Sequence, residues 1–228
     1  MVKLDPHILG DATQHRSLGE YAYQTIRQNI VQGDLPPDTR LREVEMAALL
    51  KVSRVPVREA LGRLAEEKLV ELRPHGRGAV VATPAPEKVL EYYQARAALE
   101  QLSVRLAART IESETIRNLE AINERGIEAV EQEDWELSAR YGSEFHKEIA
   151  RASGNEHLYE LICGYDLKIG WAHATVARRG GRVRPAEHSA IVAALKAGDS
   201  EEAARLMAEH TDASARAFAA NTAVADEH

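Results

Sequence analysis

Val52-Ser53-Arg54-Val55-Pro56-Val57-Arg58-Glu59-Ala60-Leu61, run on by Gly62-Arg63-Leu64-Ala65-Glu66, is the stretch whose reading decides the fold. Ser53 is of a residue type that caps a helix by accepting a hydrogen bond from a free N–H of the first turn. Pro56 falls within that turn, where a missing N–H costs little. Val57, Leu61 and Leu64 recur at helical spacing and face a core, which leaves Arg54, Arg58 and Arg63 for the outer side. A short helix with two arginines near its start is what the major groove of DNA admits and what can read base edges there. For the helix alone, an ordinary amphipathic helix with a solvated basic face is the competing reading.

The neighbouring residues favour the first. Residues 42–50 predict a short helix with Val44, Ala47, Ala48 and Leu50 as its packing positions, and Lys51-Val52 is a tight connection into the next. Two short helices joined in this way form a helix-turn-helix. Upstream, residues 17–33 predict a helix with Leu18, Tyr21, Ala22, Thr25, Ile26 and Ile30 on one face and Gly33 as its stop. Leu35-Pro36-Pro37-Asp38 is a turn. Downstream, residues 69–73 alternate as a strand, Pro74-His75-Gly76-Arg77-Gly78 turns, and residues 79–82 return, which makes a hairpin wing. The glycines let the backbone approach a phosphate or the minor groove, and Arg77 supplies charge there. A surface turn that happens to carry an arginine is the alternative.

Composition agrees with a reader of nucleic acid attached to something else. The 228-residue chain has a net charge of −7, but the charge is unevenly spread. Residues 1–83 carry 12 Lys and Arg against 11 Asp and Glu, whereas residues 84–228 carry 17 against 25. Within 51–83 the balance is 7 basic to 4 acidic. A locally basic segment on an acidic chain suits DNA binding by one part only. The single cysteine, Cys163, allows no internal disulfide, as expected of a reducing cytoplasm. No apolar run approaches the ~20 residues of a membrane span, and the N-terminus lacks a signal-peptide core. A soluble, cytoplasmic protein is the expectation.

Thr83-Pro84-Ala85-Pro86 breaks the pattern, and helical periodicity follows over 87–110, 113–131, 133–153, 155–178, 185–197 and 200–221. The expected fold class is therefore mainly α. A flexible arm (1–16) leads to a winged helix-turn-helix of three helices plus a hairpin (17–83). A linker (84–86), an all-α six-helix bundle (87–221) and a tail (222–228) complete the chain. His188 and His210 flank the Gly198 turn, 10 residues before it and 12 after. In an antiparallel helix pair those offsets are ~15 and ~18 Å, so the two rings share a level. With His146 from a third helix they form a ready site for Zn, Ni or a similar divalent ion. Scattered histidines, each satisfied by a carbonyl or carboxylate, are the alternative.

Residues 20–82 resemble the DNA-binding domain of the GntR family of bacterial transcriptional regulators. The residues that carry the resemblance are Ile26-Arg27, Ile30, Gly33-x-Leu35-x-Pro37, Leu41, Ala47, the quoted run 52–61, Leu64, Lys68-Leu69-Val70 and Arg77-Gly78. Val44 departs from it, standing where some members carry a DNA-contacting arginine, and Asp38 stands where the family usually has glycine. The resemblance implies recognition-helix contacts at Ser53, Arg54, Pro56 and Arg58, with His75, Gly76 and Arg77 in the wing.

Residues 87–218 resemble the FCD ligand-binding domain of one branch of that family. The marks are Arg96-x-x-Leu99-Glu100, Phe145-His146, Ser153-Gly154-Asn155, Glu187-His188-x-x-Ile191, Ala194-x-x-x-Gly198-Asp199 and Ala204-x-x-Met207-x-x-His210. Many relatives bind a divalent metal through three histidines and an aspartate one turn before the first. His146, His188 and His210 match the histidines, but residue 142 is glycine. Glu144 is no substitute, because two residues along a helix point it some 200° away. Arg96 matches an arginine near the effector pocket, where Tyr141 and Gly142 are placed with it. An ion pair with a neighbouring glutamate is the other reading of Arg96.

The implied protein is a ligand-responsive regulator, most simply a repressor and not an enzyme. As a homodimer it binds a pseudo-palindromic operator in double-stranded DNA, responding to a small carboxylate effector, with no membrane involved. A metal-dependent hydrolase built on the three histidines is the rival from another class. It needs a general base beside the metal, and Glu187, adjacent to His188, is expected to turn away. A helical domain that only dimerises is the second rival.

Overall fold

The computed structural model describes residues 17–74, 77–175 and 185–223. The chain divides into two compact units, residues 1–85 and 86–228. Among the described residues there are nine helices and one three-stranded sheet, so the protein is mainly α, a winged helix-turn-helix followed by a helical domain.

The first unit starts with α1 (Leu18–Gln32), capped by Ser17, whose Oγ accepts from the Glu20 N–H at 3.0 Å. Gly33 ends it in the left-handed region at φ 86°, its N–H returning to Ile30 O. Then come β1 (Arg40–Leu41), α2 (Glu43–Leu50), α3 (Arg54–Glu66), β2 (Val70–Leu72) and β3 (Ala79–Val81). The strands are antiparallel in the order β1-β3-β2, with Leu41 and Leu72 both opposite Ala79. Ile26 and Ile30 of α1, Met46 of α2, Val57, Leu61 and Leu64 of α3, and Leu41 and Leu69 are fully buried together.

Three local expectations change. Ser53 occupies the N-cap of α3 but its side chain makes no cap bond. The short strand β1 has no counterpart in the sequence reading, since two residues cannot show a period. In α2 the buried face is Glu43, Met46, Ala47 and Leu50, while Val44 and Ala48 are exposed. The spacing i, i+3, i+4, i+7 is that of a helix face, but its first member is a carboxylate, which hydrophobic periodicity passes over.

The second unit is a bundle of α4 (Pro86–Ala107), α5 (Ser113–Glu131), α6 (Trp135–Ala152), α7 (Glu156–Thr175), α8 (Pro185–Lys196) and α9 (Ser200–Ala223). Asp134 and Asn155 cap α6 and α7 by accepting from Leu137 N–H and Leu158 N–H. Gly198, at φ 70°, turns the chain from α8 into α9. The helix α4 packs against α9, α7 and α6, and α5 against α6 and α8. The main core joins Val104, Leu119, Phe145, Ile149, Ile191, Leu195 and Met207. A second cluster joins Val89, Tyr93, Ile169, Ala172 and Phe218. No described helix is long and apolar enough to cross a membrane.

Candidate functional site

The basic face of the first unit is built by α2 and α3 together. Arg54 and Arg58 lie one turn apart at the start of α3, with side chains 56% and 62% exposed. Both reach Glu43, whose side chain is only 4% exposed. Arg58 donates to it bidentately, Nε at 2.9 Å and Nη2 at 2.8 Å, and Arg54 Nη2 adds a third contact at 3.2 Å. Hydrogen bonding from Arg58 holds the Glu43 carboxyl below its usual range in spite of burial. Val44 and Val55, each next in sequence to a member of this cluster, are exposed. Pro56 is buried in the first turn of α3 and holds backbone rather than presenting a polar group.

Arg63 is exposed, as expected of the outer side, and from there it also bridges α3 to α1. It donates to Glu20 at 2.7 Å and stacks 3.6 Å over the Tyr23 ring. Arg77 is exposed beside Gly78, whereas His75 and Gly76 lie outside the described residues. Asp38, in the slot where the family usually has glycine, adopts φ 64°. This left-handed backbone explains the preference for glycine, and aspartate is among the few side chains that tolerate it.

In the second unit, α6, α8 and α9 bring His146, His188 and His210 together, all buried. His146 Nε2 is 3.1 Å from His210 Nε2, which is 3.3 Å from His188 Nε2. Glu187 accepts from His210 Nδ1 at 2.8 Å, and Glu100 Oε1 lies 3.0 Å from His146 Nδ1 in an ion-pair contact rather than a well-aligned hydrogen bond. These carboxylates favour protons on Nδ1 and leave the Nε2 lone pairs converging on one point. His188 is fixed by stacking on Phe145, with ring centroids 4.1 Å apart. Burial, reinforced by the charge of the other two rings, pushes the pKa of His188 well down, and burial with the charge of His146 lowers His210 to about 4. His188 and His210 are thereby favoured in the neutral form, the state in which an imidazole is a ligand.

The donor set fits a small divalent cation. Around a tetrahedral ion with bonds of about 2.0–2.1 Å, nitrogens stand roughly 3.3 Å apart, close to the two spacings here. Carboxylates behind ligating histidines are the usual outer shell of such sites. Among the described residues the group contains only the three histidines. Gly142 is buried on α6 one turn before His146 and offers no side-chain ligand. Tyr141 packs, partly buried, against the main core.

Arg96 is buried in an ion-pair network. Its Nε donates to Glu100 Oε1 at 2.6 Å, and its Nη1 lies 3.4 Å from Asp166 Oδ1. Lys147 and Ser143 complete the shell of Asp166, at 2.7 and 2.5 Å from Oδ2. Burial alone would raise the Glu100 pKa, but Arg96 and His146 bring it to about 2. Glu100 thus couples Arg96 to the histidine centre. Its i, i+4 spacing from Arg96 was readable in the sequence; Asp166 and Lys147, from other helices, were not. Glu187 corrects an expectation too: it does turn from His188, but toward His210, where it orients a ring rather than standing free as a base.

Comparison with known proteins identifies both units. Residues 18–81 match the model of bacterial regulatory proteins of the gntR family, and residues 91–213 match the FCD domain. The chain is 33% identical over 211 residues to the probable D-xylose utilization operon transcriptional repressor of Paenarthrobacter nicotinovorans, covering 89% of this chain and 91% of that one. It is 30% identical over 178 residues to the Nta operon transcriptional regulator of Aminobacter aminovorans, covering 76% and 81%. A crystal structure of a putative GntR transcriptional regulator from Rhodococcus sp. RHA1 matches with a TM-score of 0.71 at 26% identity, covering 89% of this chain and 98% of that one. Both matched domains and these relatives belong to regulators rather than enzymes, and the hydrolase reading has no support. The chain belongs to the GntR family of bacterial regulatory proteins, as a DNA-binding transcriptional regulator with an FCD domain.

Proposed function

We propose that this regulator is a cytoplasmic, dimeric repressor whose α3 reads a pseudo-palindromic operator and whose helical domain senses a small organic acid at a divalent metal. The observation that carries the DNA half is the exposed pair Arg54 and Arg58 at the start of α3. Arginine end-on to guanine is the commonest specific base contact in the major groove. Val44 and Val55, 62% and 61% exposed, supply apolar contacts of the kind thymine methyl groups fill. Ser53 adds a hydroxyl for phosphate, and His75, Gly76 and Arg77 serve the wing. The name of the Paenarthrobacter relative supports repression.

For the sensing half, His146, His188 and His210 hold the metal, which when bound supplies Lewis acidity toward an effector carboxylate. Gly142 supplies no ligand, so a carboxylate of the effector or water completes the coordination. A groove of about 540 Å3 between α8 and α9, lined by Ala190, Leu206 and Arg216 among others, reaches Glu187 and His210. Arg96, assigned with Tyr141 and Gly142 to the effector pocket, is paired with Glu100 and Asp166 and acts by fixing Glu100 behind His146. Effector binding changes the response only by as much as it prefers one arrangement of the two DNA-reading domains of a dimer over another.

The test is a titration of DNA duplexes selected by the intact protein from a randomised library. Arg58→Ala is expected to lose about 1–3 kcal/mol of specific binding, roughly five- to 150-fold, with an unchanged circular dichroism spectrum. Equal affinity of the variant for the selected duplex refutes the role given to α3.

A further inference from the structure

Three features of the molecule are not used by this reading: the acid behind the arginines, the Tyr93–His173 pair in the second core, and the shallow groove beside Arg151. The acid carries an inference furthest. Glu43 is the first residue of α2 and sits on that helix's buried face, at the position where Met46, Ala47 and Leu50 continue toward the core. A carboxylate there is costly unless its oxygens are satisfied. Among the described residues both are satisfied by the arginines of α3. The arginines remain more than half exposed while the acid is hidden.

The bidentate contact decides which edge each arginine presents. Arg58 engages Glu43 through its Nε and Nη2 side edge. The remaining edge, Nη1 with the outer hydrogen of Nη2, is the end-on fork that matches the O6 and N7 acceptors of guanine. Arg54 touches Glu43 through Nη2 alone, so its Nη1 stays available for a second base or a phosphate. A free arginine has a large rotamer entropy, much of it lost on ordering. Holding both guanidinia before DNA arrives removes part of that cost from binding. The acid also cancels one of two positive charges, which lowers attraction to phosphate in general without lowering recognition of the right base.

We infer that Glu43 is a positioning residue of the DNA-reading surface: a buried acid, touching no base, that sets Arg54 and Arg58 as one aligned pair and so raises discrimination between operator and other DNA. The inference rests on the reading of α3 as the recognition helix. A surface clamp that releases the arginines on DNA contact is the opposite arrangement, and it predicts the opposite sign.

The experiment measures binding of the full-length protein and its variants to the selected duplex and to poly(dI-dC), each across a salt series. Glu43→Gln keeps the side-chain volume and removes the charge. It is expected to weaken the selected duplex at least about tenfold, leave poly(dI-dC) equal or tighter, and steepen its salt dependence by up to about one unit of slope. Glu43→Asp keeps the charge but falls one methylene short of both arginines. It is expected to lose discrimination as well, which separates alignment from net charge. If both variants discriminate like the parent chain, or if Glu43→Gln binds the selected duplex more tightly, the inference is overturned. Unfolding midpoints accompany each titration, and Glu43→Asp carries the test if Glu43→Gln does not fold. Arg58→Ala run in parallel shows whether a negative result belongs to Glu43 or to the reading of α3 itself.

Discussion

His173 shows how much one buried ring constrains this protein. Its Nε2 is 2.8 Å from the Tyr93 hydroxyl, its buried Nδ1 has no partner among the described residues, and the Phe218 ring meets it in a T-shaped contact with centroids 5.2 Å apart. Burial first, and the nearby Arg96 charge second, lower its pKa to about 4. A histidine whose folded pKa lies below its unfolded value of about 6.5 binds fewer protons when folded. Its contribution is therefore full above about pH 6.5 and is lost as the pH falls toward 4. At pH 5 that share is about 2 kcal/mol. Chemical unfolding at pH 7 and pH 5 is expected to show a larger acid loss in the parent chain than in His173→Gln, by about that amount. Equal pH dependence would mean that the ring is already protonated or not confined in the native state. Sequence periodicity marks α7 as helical, but a histidine next to Ala172 and two residues from Trp171 carries no local sign that it lies under Arg96.

At the scale of the element, the wing hangs on a close backbone approach. Gly78 has φ +84°, and a Cβ there would lie 2.0 Å from the carbonyl oxygen of Leu41 in β1. Its own carbonyl accepts from the Arg73 N–H at 2.9 Å and closes the β2–β3 hairpin. Gly78→Ala is expected to destabilise the first unit by more than about 1 kcal/mol and to speed amide exchange across β1 and β3. Unchanged protection at Leu41 and Val80 would show that the strands can part without loss. The hairpin was legible from its alternation and its glycines. The third strand was not, because Arg40-Leu41 is too short for any pattern and exists only by pairing with Val80 and Ala79. The α2 face was misphased for a related reason: Val44 is apolar and Glu43 is not, yet the acid is the one turned inward, since α3 brings two guanidinia to meet it.

For the whole molecule, the metal proposed at the histidine centre is expected to make stability depend on its presence. Three converging Nε2 atoms, two of them backed by carboxylates, draw α6, α8 and α9 together around one point. A cation that binds only the folded chain stabilises it by about 2.7 kcal/mol at a hundredfold excess over its Kd. The purified protein is expected to contain about one metal per chain and to melt at a lower temperature after chelation. His188→Ala is expected to lose the metal and the chelator sensitivity together. Equal metal content by elemental analysis in the variant and the parent chain would remove the three-histidine site from the proposal.

What the sequence determined by itself is local or nearly so. Helix starts and stops at Ser17, Gly33, Asn155 and Gly198, the helix-turn-helix around residue 52, the outward arginines at 54 and 58, and the shared level of His188 and His210 about their turn all follow from spacing along one chain segment. Periodicity and capping act over one or two turns, so they are written in consecutive residues. Only the tertiary structure decided what those residues meet. It joined Glu43 to two arginines of the next helix, Asp166 to Arg96 and Lys147, Glu187 to His210 rather than His188, and the exposed Arg63 to Glu20 and Tyr23 of α1. Such partners depend on the phase and crossing of packed helices. A charged side chain is long enough to reach either of two neighbours, and burial of the surrounding apolar surface settles which one it finds.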